Sequence, residues 1–180
     1  MKKDQFVLIL AGTVGCAILA MIFFGGHFTN LKQPSLYLVL LGFLASLNLA
    51  LFRLDKWRDA LFASLLIVFL FFVLTGLITT ITAVVVLVYI AGLIAGIYVY
   101  SRYVEPLIQS RLWLMPPILA GMLGIAFLIA NLVHALMFFE TASQGFLLRN
   151  MPLGVMNGLG IGLGERTAIY FREKNKPIEN

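Results

Sequence analysis

Charged side chains are scarce in this sequence. Asp, Glu, Lys and Arg make up 12% of its 180 residues, roughly half the share found in soluble domains. Hydrophobic residues reach 61%, and the mean hydropathy is +0.99. Because so few charges cannot cover a folded surface in water, the composition predicts an integral membrane protein whose main partner is the lipid bilayer.

Cysteine and histidine are also nearly absent. Cys16 is the single cysteine, which excludes an intramolecular disulfide and a cysteine-cluster metal site. The two histidines, His27 and His134, are 107 residues apart and share no metal-ligand spacing. The G-x-S-x-G and H-E-x-x-H motifs of hydrolases are missing. We therefore expect no metal, no cofactor and no catalytic residue.

Acidic residues are missing from the interior of every apolar run. All eight lie near or beyond the ends of these runs: Asp4, Asp55, Asp59, Glu105, Glu140, Glu165, Glu173 and Glu179. Ionisable groups in mid-membrane mark proton relays and ion paths. The sequence thus predicts an uncharged interior and argues against a proton-driven pump of the usual carboxylate design.

The apolar runs predict the fold class. A membrane-spanning helix needs about 20 apolar residues, and six suitable runs predict an all-α, polytopic bundle of six transmembrane helices that forms a single domain over 1–180. The spans are expected at about 6–26, 34–52, 60–77, 81–101, 113–138 and 145–164, with a cytoplasmic tail at 165–180. The first run follows a basic start, as a signal peptide does, but it continues well beyond Cys16 and is expected to remain as a span.

The basic residues predict the topology. The net charge is +5, but Lys and Arg sit in short clusters between apolar runs, which indicates topology signals and no nucleic-acid surface. With six spans and a cytoplasmic N-terminus, 11 of the 13 basic residues lie inside, and only Lys32 and Arg149 lie outside. Both termini are therefore expected on the cytoplasmic side of the cell inner or plasma membrane, with multiple passes between them.

Small residues recur every four positions in several spans, which is typical of close helix packing in lipid. The expected helix-packing positions are Gly12, Cys16 and Ala20 in the first span, Gly92 and Gly96 in the fourth, and Gly154, Gly158 and Gly162 in the sixth. Gly160 and Gly164 lie on a neighbouring face of the sixth span. Its glycine run lacks the spacing of a phosphate-binding loop. We expect this span to be the least hydrophobic and the most closely packed.

Polar residues near the predicted outer boundary are candidates for a ligand-binding site. Asn131 and His134 share a face of the fifth span, and Asn48 lies toward the inner end of the second. The candidate residues are His27, Asn48, Asn131, His134, Glu140 and Arg149. The alternative for each is a single interhelical hydrogen bond or ordinary interfacial polarity.

Three functions remain open from these observations. The first is a non-enzymatic small-solute transporter or a membrane-embedded subunit of a transport complex, with a membrane or cytoplasmic partner docked on the mixed-charge loops. The second is a membrane enzyme or lipid-processing protein at the outer boundary, where Ser143 lies near Glu140 and His134. The third is a structural or assembly factor.

A further indication comes from the organisation of the whole chain. Six spans in 180 residues, with Gly12, Cys16 and Ala20 on one face of the first, resemble the substrate-binding subunits of energy-coupling-factor vitamin importers. The resemblance extends over the whole chain in size and topology. It implies a membrane-embedded subunit that binds a small solute, and it transfers no site residue, because no substrate-site motif of that family is present.

Overall fold

The computed structural model describes residues 3–24, 34–75, 80–108, 111–138 and 150–174, which form helices and turns with no strand among them. The helices are α1 (Lys3–Phe24), α2 (Pro34–Arg53), α3 (Trp57–Thr75), α4 (Thr80–Val99), α5 (Glu105–Ile108), α6 (Met115–Phe138) and α7 (Met151–Lys174). A π-helical turn, Tyr100–Val104, joins α4 to α5, and a 3-10 turn, Leu112–Leu114, precedes α6. The predicted all-α class is confirmed for this part of the chain.

Three stretches are long and apolar enough to cross a membrane: Asp4–Phe24, Val86–Ile108 and Leu112–Met137. These are the candidates among the residues given above, where a shorter apolar helix also lies at Tyr37–Arg53. The outward side chains of α1, α3 and α6 are largely apolar; Ile22, Phe62 and Leu136, for example, are all more than 60% exposed. Such a surface indicates association with a membrane.

Prolines and one left-handed residue fit the ends of the helices. Pro116 and Pro152 lie in the first turns of α6 and α7, where a backbone N–H has no intrahelical acceptor and its loss costs little. The turn between α2 and α3 holds Asp55 at φ 58°, a left-handed conformation that Asp tolerates better than most residues. These positions set the lengths of the neighbouring helices.

Helix α7 lies at the centre of the described bundle. It packs against α6 and α1 and also contacts α2, while α4 covers the other side of α6. Helix α3 packs mainly against α2 and makes little contact with α4. The core between these helices includes Leu93, Leu119, Leu123 and Ile161, which are fully buried. α7 thus packs against three other helices, although its sequence is only modestly hydrophobic.

Glycines on two faces of α7 allow this central position. On the first face, a Cβ at Gly158 would lie 2.5 Å from Ala120 Cα, and one at Gly162 would lie 2.5 Å from Pro116 Cα. Gly154 faces the α6 backbone at Leu123. We call this row the α6 seam. Since ordinary carbon contacts need about 3.5–4.0 Å, only glycine permits the two backbones to approach so closely.

The second face of α7 lies against α1. A Cβ at Gly160 would lie 2.8 Å from Cys16 Cα, and one at Gly164 would lie 2.9 Å from the Gly12 nitrogen. Ala20 is fully buried farther along α1. We call this contact the α1 seam. Thus α7 is held between two helices by backbone contact on both sides, as expected where packing drives association in lipid.

The remaining expected packing positions, Gly92 and Gly96, lie between α4 and α6. A Cβ at Gly92 would lie 3.1 Å from the Ala126 carbonyl oxygen, and one at Gly96 would lie 3.1 Å from the Ala126 methyl group. These approaches are less close than those along α7. The α4–α6 contact is therefore close-packed but leaves more space than the two seams of α7.

Candidate functional site

The sequence-predicted residues Asn131 and His134 lie in a polar network near the start of α7. The hydroxyl of Tyr89 on α4 donates to Asn131 Oδ1 on α6. Asn150 Nδ2 donates to Tyr89 Oη at 2.7 Å and to Asn131 Oδ1 at 3.3 Å. The His134 ring is edge-on to Tyr89, with centroids 6.3 Å apart. The hydrogen bonds among Tyr89, Asn131 and Asn150 join α4 and α6 to the turn that precedes α7.

Of the other predicted site residues, only Asn48 is described, and its hydrogen-bond partners lie outside this network. Asn48 is fully buried between α2 and α3, where its Nδ2 donates to Ser64 Oγ at 2.9 Å and to the Leu44 carbonyl at 2.8 Å. His27, Glu140 and Arg149 lie outside the described residues, as does Ser143 of the enzyme alternative. The predicted site at the outer boundary therefore stays a prediction.

A buried charge cluster, which the sequence reasoning missed, lies at the other end of α7. Arg53 ends α2, Glu105 begins α5, and Glu165 lies within α7. Arg53 Nε donates to Glu105 Oε1 at 2.7 Å, and Nη2 donates to Glu165 Oε2 at 2.8 Å. Nη2 also lies 2.7 Å from Glu105 Oε1 in an ion pair. These are the short distances of charge-assisted hydrogen bonds. One guanidinium thus bridges two carboxylates from different helices.

Glu165 is buried inside the bundle and does not lie at the end of α7. α7 continues past it to Lys174, through residues assigned to the tail, so Glu165 stays inside the bundle. Its side chain has 0% exposure, against 16% for Arg53 and 17% for Glu105. The expectation of an uncharged interior is therefore wrong at this end of the bundle. Burial of ions is costly unless they are paired, and here Arg53 supplies the pairing.

The π-helical turn brings a further polar group to the cluster. The backbone N–H of Glu105 bonds to the Tyr100 carbonyl, which closes the wide turn ahead of α5. Tyr100 is fully buried, and its hydroxyl lies within electrostatic range of Arg53, Glu105 and Glu165. π-helical turns inside helices frequently occur at functional sites. This turn places a phenol and a carboxylate on the same side of the bundle.

Three oxygens of the cluster have no hydrogen-bond partner within the described part of the chain. They are Glu165 Oε1, Glu105 Oε2 and the Tyr100 hydroxyl. Buried polar atoms are normally paired, and exceptions often mark functional sites or bound solvent. The cluster therefore has unused acceptor capacity on both carboxylates.

A cleft of about 580 Å³ opens beside the cluster. Its walls combine the aromatic residues Phe52, Trp57 and Tyr98 with the charged residues Arg53, Asp55, Arg102 and Glu105. Phe52 and Tyr98 pack edge to face at 5.4 Å, which fixes one wall. The cleft therefore joins the solvent-accessible end of the bundle to two members of the buried cluster.

One sequence signal could have indicated this cluster. Asn157, Ile161 and Glu165 follow one another at intervals of four residues, and all three are fully buried. The charge distribution also places Arg53, Glu105 and Glu165 at the same predicted membrane boundary. The shared boundary indicated that the three side chains lie near one another, but nothing in the sequence indicated that they form ion pairs.

The donor set is not that of a transition-metal site. Across the residues that the structure describes, no group of three His, Cys, Asp or Glu side chains is arranged to hold a metal ion. The cluster offers two carboxylates, a phenol and a competing guanidinium. Its chemistry is suited to charge pairing, proton uptake and recognition of polar solutes.

Comparisons with protein-family models, with curated proteins and with solved structures found no match for this chain. The resemblance in size and span number to substrate-binding subunits of vitamin importers therefore stays a prediction.

Proposed function

We propose that this chain is a multi-pass transporter of small solutes in the cell inner or plasma membrane, with six spans and both termini cytoplasmic. The observation that carries the proposal is the cleft beside Arg53 and Glu105. Its volume of about 580 Å³ falls within the roughly 300–1,000 Å³ of small-molecule sites. With the proposed topology, the cleft opens to the cytoplasm.

The lining of the cleft supports a particular class of solute. Aromatic side chains supply apolar contact area, and charges of both signs lie around them. Arg53 and Glu105 are bonded to one another within the cluster, so Arg102 and Asp55 are the charged lining residues outside the cluster that can orient a ligand. Such a site favours a small zwitterion, whose carboxylate pairs with Arg102 and whose ammonium group pairs with Asp55.

The helix packing supports a transport mechanism in which parts of the protein move as rigid bodies. α7 is fixed to α1 and α6 by the two glycine seams, whereas α3 packs chiefly on α2. The cleft residues come from the ends of α2, α3 and α4 and from the turns that follow. Opening and closing of the cleft then requires movement of these ends against a fixed α1–α6–α7 unit.

Solute binding can be tested with the two tryptophans. Trp57 lines the cleft, and Trp113 is 59% exposed outside it. In a Trp113→Phe protein, we expect saturable fluorescence changes with at least one compound from a panel of free amino acids. A Trp57→Phe protein, which keeps Trp113, should show none. Arg102→Gln should weaken binding about tenfold, the loss of one modest charged contact.

The outcome of the panel decides the proposal. Amino acids that bind are then tested for uptake into proteoliposomes, where accumulation of the same compound is expected. If no amino acid changes Trp57 fluorescence, the zwitterion site is refuted. If binding occurs without uptake, the chain is a binding subunit, and a partner co-purified from native membranes should restore transport.

The topology needs a separate test. In intact cells, a membrane-impermeant maleimide should label a Lys32→Cys protein and spare a Lys56→Cys protein. Native Cys16 is buried and should not contribute. Labelling in the opposite pattern would reverse the proposed orientation, and labelling of neither or both positions would refute the six-span arrangement.

A further inference from the structure

We propose that Arg53, Glu105, Glu165 and Tyr100 form a proton-binding site, which takes up one proton on the carboxylate pair. The site deepens the transport function proposed above and rests on it for its role, since the bound proton would be the coupling ion. The cluster lies directly behind the cleft, where the occupancy of one site can affect the other.

The first argument is the charge balance. Two carboxylates and one guanidinium give the cluster a net charge of −1 when both acids are ionised. Arg102 and Asp55, which carry opposite charges, line the cleft together with Glu105. α1 and α6 approach this part of α7 at Gly12 and Pro116, which carry no charge. The charges that act on Glu165 are those of Arg53 and Glu105. Burying an uncompensated charge is unfavourable, so neutralisation by a proton is favoured.

The second argument is the hydrogen-bond geometry. Arg53 occupies Glu105 Oε1 and Glu165 Oε2, which leaves Glu105 Oε2 and Glu165 Oε1 without a donor in the described structure. An ionised carboxylate only accepts hydrogen bonds, whereas the protonated form also donates one. Uptake of a proton by one of these oxygens therefore changes the cluster charge from −1 to 0 and consumes no other reactant.

Tyr100 gives an independent indication. Its side chain is fully buried, and its hydroxyl has no hydrogen-bond partner among the residues described. The hydroxyl is within electrostatic range of both carboxylates. A phenol oxygen accepts a hydrogen bond from a carboxylic acid and donates one to a carboxylate. Tyr100 can thus serve the cluster in both protonation states.

The position of the site provides access for the proton. Glu105 and Arg53 line the cleft, and Glu165 lies behind them with no exposure. Protons enter from the solution at the cleft and reach Glu165 through Glu105. We expect the proton to reside on Glu165, because it is more deeply buried than Glu105, which is 17% exposed.

The test is infrared spectroscopy on the purified full-length chain without added solute. A carboxylic acid has a C=O stretch that a carboxylate lacks. We expect the wild-type protein to retain one such band through about pH 6 to 8, where exposed acids are ionised. Glu165→Gln should abolish the band, and so should Glu105→Gln, because either change removes the excess negative charge.

Control variants distinguish proton binding from a purely structural role of the cluster. Asp59→Asn makes the same charge change at a side chain that is 63% exposed, and the band should remain. Tyr100→Phe should shift its frequency, because it removes the buried hydroxyl within electrostatic range of both carboxylates. If one Gln variant misfolds, the other variant and the pH titration of the wild-type protein still show whether the cluster binds a proton. Absence of the band in wild type over this pH range, or its persistence in both Gln variants, refutes the site.

Sodium provides the remaining alternative occupant. Replacing choline chloride by NaCl at constant ionic strength should leave the carboxylic acid band unchanged. Loss of the band in NaCl would assign the site to an alkali cation and overturn the proposal. None of these measurements depends on solute binding. A missing band with intact Trp57 binding refutes only the proton site, whereas a present band without any solute binding refutes only the transport function.

Discussion

Gly158→Ala should weaken the bundle more than any other single methyl group added to the α6 seam. The new Cβ would lie 2.5 Å from Ala120 Cα, and its other close neighbours are backbone atoms of Leu119. Backbone atoms cannot rotate away, so α6 and α7 must separate by about 1 Å to reach an ordinary contact distance. Overpacking of this kind costs about 1–3 kcal/mol.

Gly121→Ala is the matched control, since it adds the same methyl group on α6. A Cβ at Gly121 meets nothing within 4 Å. Both variants gain helix propensity, about 0.8–1.0 kcal/mol from Gly to Ala, so this gain cancels when the two are compared. The difference between their free energies of unfolding should therefore equal the steric cost, about 1–3 kcal/mol.

The assay is reversible unfolding in detergent micelles, followed by tryptophan fluorescence and far-ultraviolet circular dichroism. Gly158→Ala should unfold at a lower denaturant concentration than Gly121→Ala, with the same helix content before the transition. If the two free energies differ by less than about 0.5 kcal/mol, the usual range for surface substitutions, the close approach of α6 and α7 is refuted.

Three further outcomes are expected. A double-mutant cycle of Asn48→Ala and Ser64→Ala should give a coupling of about 0.6 kcal/mol, typical of hydrogen bonds between membrane helices; zero coupling in unfolding assays would contradict the Asn48–Ser64 bond. Cys16 should resist a membrane-permeant maleimide in the folded protein, because it is fully buried; labelling at the rate of the unfolded chain would contradict that position. Arg53→Met removes the cation that pairs with Glu105 and should lower the free energy of unfolding by about 3–5 kcal/mol. Adding Glu105→Gln should recover part of that loss, and a fully stable Arg53→Met protein would show that the charges are not paired.

The sequence predicted the helices because apolar runs are bounded by charged residues. The second span, for example, was expected at 34–52, and α2 extends from Pro34 to Arg53. The spacing of glycines also indicated two faces on the last described helix. Periodicity identifies a face but not the partner that covers it, so the pairing of one face with α6 and the other with α1 required the structure.

The charge cluster could not be predicted for a related reason. A charged residue at the end of an apolar run normally indicates the membrane interface, and Arg53, Glu105 and Glu165 were all interpreted in that way. Two local features changed their surroundings: α7 continues beyond Glu165, and a π-helical turn precedes Glu105. Neither feature has a reliable signal in a single sequence, since each depends on contacts between distant helices.

The central position of α7 has a consequence for biogenesis. More than 120 residues separate the end of α1 from the start of α7, which corresponds to roughly 6–25 s of synthesis at about 5–20 residues per second. During that interval, the face of α1 that holds Gly12 and Cys16 has no α7 to cover it, and α6 is completed only about a dozen residues before α7 begins. A membrane chaperone or the insertion machinery would act during this interval, before α7 completes the bundle.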